Sequence, residues 1–152
     1  MTYDSSEDTK KHIRDVGHFL KFAFFEIAER IKNHDASKLQ EPEKRIFDEF
    51  TPKLRGTTFG SDEYKASLKE MGKALEHHYQ NNSHHPEHYT NGVDDMNLVD
   101  VLEMLADWTA ATLRHEDGDI LKSIEINKAR FGMSDQLVNI LINTLRDVFK
   151  WI

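Results

Sequence analysis

Apolar residues recur along this chain at intervals of three and four, run after run, and residues that start or stop helices bracket each run. No period-two run with hairpin turns competes with them, so the chain is expected to be all-α, with about six helices packed as one domain over residues 1–152. The first run carries Ile13, Val16, Leu20, Phe24, Ile27 and Ile31 and extends to about Lys32. Ser5 to Asp8 before it resembles a capping box, with Asp in place of the usual Glu. Phe19, Phe22 and Phe25 widen the apolar surface beyond one stripe, so these rings are expected to lie in the core against more than one neighbouring element.

After a break at Asn33, Pro42 suits the first position of a short helix to about Phe50, with Phe47 and Phe50 on one side. Thr51 to Ser61, with Pro52, Gly56 and Gly60, has the composition of a loop and is the best candidate for a mobile lid. Ser61 then caps a run of Tyr64, Leu68, Met71 and Leu75 whose spacing continues to His78 and Asn82. That phase turns His78 inward and rotates His77 away. Residues 83–96, with Pro86 and Gly92, are expected to be an ordered loop. Asn97 and Asp100 cap a helix to about His115, and the stretch from Met104 to Leu113 carries a single charge, Asp107. A helix apolar almost all round belongs at the centre of a bundle, where a carboxylate is costly unless paired, hydrogen-bonded or bound to a metal. Asp119 caps a helix to about Phe131 ended by Gly132, and Ser134 starts a last one with Leu137, Ile140, Leu141, Thr144 and Val148.

Within residues 77–88 stand five of the nine histidines: His77, His78, His84, His85 and His88. Neutral imidazole is the commonest metal ligand, and the stretch is internal and interrupted by Tyr, Asn, Pro and Glu, unlike an expression tag. The chain has no cysteine, so a metal would be held by nitrogen and oxygen alone. The groups expected inside or at loop-helix junctions are His34, Asp35, His78, His84, His85 and Asp107. Mixed imidazole and carboxylate donors suit Mn, Fe, Zn or Co better than Mg. With 20 basic and 27 acidic residues the chain offers no broad nucleic-acid surface, although a bound cation would reverse the local field for a small phosphorylated substrate. No run of about 18 apolar residues and no signal-peptide pattern occurs, so a soluble, cytoplasmic protein without a membrane partner is expected. Oligomerisation is left open.

The pattern His34-Asp35-Ala36-Ser37-Lys38 with a late Ala106-Asp107 resembles the HD superfamily of metal-dependent phosphohydrolases, all-α domains named for a His-Asp pair. His78 and His84-His85-Pro86-Glu87, followed by Asn91-Gly92, echo its HD-GYP branch, but the Gly-Tyr-Pro is missing and Pro86 separates the His pair from Glu87, so cyclic-dinucleotide specificity does not carry over. The chain is also similar, from about His12 to Asp107, to a small uncharacterised family of phage and bacterial proteins with His-Asp-x-Ser-Lys, two His pairs around an Asn, and Glu-Met-x-x-Asp, here Glu103 to Asp107. The HD pattern asks for an upstream histidine. His12 fits by phase better than His18, but only if the chain bends or folds back, because a straight helix sets it about 33 Å from His34.

The resemblance implies hydrolysis of a small phosphate ester with one or two divalent ions. His34, Asp35 and Asp107 would hold one; His78, His84 and His85 would hold a second. Lys38 would neutralise phosphate or orient the nucleophile, Glu103 would orient a histidine or act as a base, and Asn82 would brace the histidine loop. Two other readings remain open at this point: an HD-type di-iron oxygenase, marked by retained iron and visible absorbance, and a non-enzymatic phage or bacterial interaction protein whose metal only holds the fold.

Overall fold

The computed structural model describes residues 3–58, 60–114 and 118–152. Among these the chain is all-helical, as the apolar periods require: six α-helices and three short 3-10 turns, with no strand. It divides into two units, one ending at His34 and one beginning at Asp35. No helix of the described residues is long and apolar enough to cross a membrane.

The first unit is a single helix, α1 (Ser6–Asn33). Ser5 makes no side-chain cap; instead Asp4 accepts from the Ser6 backbone N–H at 3.0 Å and from its hydroxyl at 2.6 Å, so the expected capping box is replaced by an Asp one residue earlier. A lone helix has no interior, and α1 buries none of its residues. Phe19, Phe22 and Phe25, expected in a core, are exposed. His12 and His34 stand at opposite ends of this uninterrupted helix, about 33 Å apart at 1.5 Å per residue, so no bend brings His12 to His34.

The second unit opens on Asp35, whose backbone is left-handed (φ 55°), a conformation that Asp tolerates better than most residues. A 3-10 turn (Ala36–Leu39) leads to α2 (Glu43–Arg55), which packs on α3 (Asp62–Asn81); Phe50 of α2 and Met71 and Ala74 of α3 are buried. Two further 3-10 turns (Pro86–His88 and Gly92–Asp95) carry the chain to α4 (Leu98–Thr112), α5 (Ile120–Phe131) and α6 (Asp135–Asp147). These three helices share the main core: Met104, Leu105, Ile120, Ile124, Met133, Val138, Leu141 and Leu145. Met104 and Leu105 are fully buried, and truncating either to Ala costs roughly 2–5 kcal/mol in such a setting. The caps stand where expected at Ser61, Asn97, Asp119 and Ser134, and Gly132 ends α5 at φ 64°.

Several boundaries and faces differ from expectation. Thr51 to Arg55 are helical, not part of a lid: α2 continues through Pro52 because Phe50 and Leu54, one turn apart, keep that face against its neighbours, outweighing the missing N–H. α4 ends at Thr112, and the expected end at His115 lies outside the described residues. Nor is α4 buried all round: Ala106, Ala110 and Leu113 face outward, and Asp107 is half-buried. In α6 the inner stripe is Val138, Leu141 and Leu145, one position on from the expected phase, which leaves Ile140 and Val148 exposed.

Asp100 joins the histidine loop to α4. Its fully buried carboxylate accepts from Ser83 Oγ at 2.8 Å, Tyr89 Oη at 2.7 Å and the Asn97 N–H at 3.1 Å. Asp100→Ala strands both hydroxyls and breaks the capping box, and is expected to lower unfolding stability by roughly 3 kcal/mol or more. Urea denaturation checks this, and a loss below about 1 kcal/mol would refute the clamp.

Candidate metal centre

α3 is kinked at Gly72 (φ 37°), and past the kink Ala74 and His78, one turn apart, are both buried, His78 being 1% exposed; the Ser83–Pro86 segment returns His84 and His85 beside it. Nε2 of His78 lies 2.9 Å from Nε2 of His85 and 3.3 Å from Asp35 Oδ1, and Nε2 of His84 lies 3.5 Å from that same oxygen. One donor atom from each of Asp35, His78, His84 and His85 falls within 4.8 Å of those of the other three. Asp35 thus joins the three histidines. A carboxylate oxygen of Asp107 is also within 4.8 Å of one of Asp35, so two carboxylates face each other beside the imidazoles. Such a pair repels unless a cation intervenes.

The ring orientations follow from the groups behind them. Glu43, fully buried, places Oε2 3.0 Å from His78 Nδ1 and Oε1 2.7 Å from His77 Nδ1, and accepts from Ser37 Oγ at 3.0 Å. Asn82 Nδ2 donates to the His78 carbonyl at 2.8 Å and lies 2.9 Å from Ser37 Oγ and 3.0 Å from His78 Nδ1, whereas the Glu43 carboxylate facing that nitrogen can only accept. His78 Nδ1 therefore carries a proton and donates it to Glu43, which leaves the Nε2 lone pair facing inward. Glu103 Oε1 stands 3.3 Å from His84 Nδ1 and orients that ring in the same manner. Burial, with the adjoining His84 and His78, pushes His85 down to about 3 against the opposing charge of Asp107, so the ring is neutral at pH 7.

Lys38 Nζ pairs with Asp35 Oδ2 at 2.5 Å and lies over the Phe47 ring. His88, exposed, donates from Nδ1 to the Tyr79 carbonyl at 2.8 Å, because a carbonyl only accepts. His34 is the C-terminal cap of α1, bonded to Asp35 through the chain, and His12 lies near the start of that helix. Glu43 carried no signal in the sequence. Following Pro42, it has the look of a first-turn acid placed for the helix dipole, and only tertiary packing turns it toward His77 and His78.

Asp35, His78, His85 and Asp107 line a cleft of about 600 Å³, a size suited to a small organic molecule. Its walls are mainly apolar, including Phe47, Leu68, Met71, Trp108 and Phe131, and Lys38, Arg55, Arg114 and Arg130 contribute positive charge. Arg130 is held by Glu87. Glu103 and His84 do not line the cleft, which leaves Glu103 as a group that positions a histidine.

The chain belongs to a family of unknown function, DUF5662, whose model matches residues 1–147. No curated protein and no solved structure matches it.

Glu43→Gln keeps the volume but replaces the acceptor of two imidazole protons with an amide. Affinity for Zn or Mn, measured by competition with a chelating dye, is expected to fall roughly 10- to 100-fold while helicity is retained. Unchanged affinity would show that Glu43 does not set the His78 ring.

Proposed function

We propose that this DUF5662 protein is a metal-dependent hydrolase of small phosphate esters, with Asp35, His78, His84 and His85 holding a divalent transition ion. The observation that carries the reading is the convergence of their donor atoms at one side of a cleft large enough for a substrate. Three imidazoles with one or two carboxylates favour Mn, Fe, Zn or Co over Mg, which prefers oxygen. An ion bound there supplies Lewis acidity and a nucleophile at neutral pH.

The chain's own residues supply the rest. Glu43 and Glu103 fix the His78 and His84 rings, and Lys38 holds Asp35 through Oδ2 so that Oδ1 stays turned to the imidazoles. Asp107 adds a carboxylate on the cleft side, where it can join the ligands or accept a proton from the nucleophile. Arg55 and Arg114, both exposed and lining the cleft, attract an anionic substrate to an otherwise acidic protein. His34 is kept as a candidate ligand on its sequence pattern.

Protein purified without a histidine tag is expected to contain a transition metal on elemental analysis. After chelation, Mn, Co, Zn or Fe should restore turnover of at least one ester in a phosphoester panel. Asp35→Asn and His78→Ala should lower turnover by roughly 100-fold or more, because each weakens both the ion's hold and the chemistry it supplies. Failure to take up any transition ion, or uptake without turnover of any ester, would overturn the reading.

A further inference from the structure

Asn127, on α5, is 2% exposed and lines the cleft, yet among the described residues its carboxamide makes one hydrogen bond, a 3.5 Å contact from Nδ2 to Ser123 Oγ at the limit for such bonds. Ser123 lines the cleft as well. A buried amide normally engages most of its two donors and its acceptor, and one left so poorly served lowers stability. Nothing in helix formation calls for Asn there, since Leu or Met has a better propensity. Trp108 and Phe131, which also line the cleft, stack with centroids 6.3 Å apart and planes at 9°, giving the wall a flat aromatic element.

We infer that Asn127 is a specificity-determining residue that hydrogen-bonds the organic part of the substrate. The substrate class is then a phosphate ester of an aromatic or otherwise flat alcohol carrying an amide-like donor and acceptor, its body against the apolar wall and its phosphate toward Asp35 and the histidines. This rests on the hydrolase reading for the phosphate end, whereas the Asn127 contact concerns the body alone. A site built to hydrogen-bond such a group discriminates strongly against a ligand lacking it, because the buried amide is otherwise left unserved.

The test uses the full chain loaded with Mn and two kinds of probe. Binding of phenylphosphonate and of its 2-, 3- and 4-carbamoyl derivatives, which cannot be hydrolysed, is measured by calorimetry on wild type and Asn127→Leu; turnover of the corresponding aryl phosphates is measured separately. At least one carbamoyl isomer is expected to bind wild type roughly tenfold or more tighter than the parent, and that advantage should vanish in Asn127→Leu while the parent binds both alike. Asn127→Leu removes a poorly bonded buried amide and should melt no lower than wild type. In wild type loaded instead with diamagnetic Zn, the Asn127 side-chain NH₂ resonances should shift with the preferred isomer and not with the parent.

No preference for any isomer, a preference that survives in Asn127→Leu, or unmoved Asn127 resonances would each overturn the assignment. Preference without turnover would uphold Asn127 and sink the hydrolase reading; turnover without preference would do the reverse. Absence of any binding would remove both.

Discussion

The carboxylate-imidazole hydrogen bond is the interaction on which the rest of this molecule's chemistry depends. An imidazole can turn either nitrogen toward a site, and a buried ring with the wrong tautomer presents a proton where a lone pair is needed. Glu43 and Glu103 remove that choice for His78 and His84 by accepting at Nδ1. The fold supports these acids in turn. Glu43 is fully buried because α2 packs on α3, and Asp100 ties Ser83 and Tyr89, on either side of His84 and His85, to the start of α4. Layers of buried polar contacts of this kind raise the cost of any single loss, since each removed group leaves partners stranded in a poor dielectric.

Much of the arrangement was legible in the sequence because it follows from helical phase. His78 lies one step beyond Leu75 in the apolar series, a step that falls after the kink at Gly72, and the cap at Asn97 sets α4 so that Glu103 and Asp107 fall one turn apart. The fold class was legible for the same reason. Glu43 was not, because a carboxylate in a first turn has a sufficient local explanation, and its burial is a property of two helices meeting. Asp100 was visible only as a cap, although the same side chain also accepts from Ser83 and Tyr89.

The misplaced features share a cause. Pro52 was weighed for its local effect on the backbone, whereas the helix persists because burying Phe50 keeps that face engaged. In α6 so many positions are apolar that two adjacent stripes fit the period, and contact with Met104, Ile124 and Met133 selects the one containing Val138, Leu141 and Leu145. The phenylalanines of α1 show the limit from the other side. Periodicity establishes that a helix has an apolar face without saying what meets it.

Charge balance supports the proposal of a cation at this site over a plain structural cluster. Asp35, Asp107, Glu43 and Glu103 bring carboxylates to the histidines, and the second unit sets against them the ammonium of Lys38 at Asp35 and the guanidiniums of Arg55, Arg114 and Arg130 along the cleft. His85, held neutral by burial, contributes no compensating charge at pH 7. A purely structural network would gain by exchanging one acid for an amide, since desolvating an extra carboxylate costs more than a neutral hydrogen bond returns. Retaining the acids is favourable where a dication shares their field, because the same low dielectric that penalises the carboxylates strengthens their attraction to it. That reasoning ties Asp107 to the centre more firmly than its position in an apolar helix alone could do.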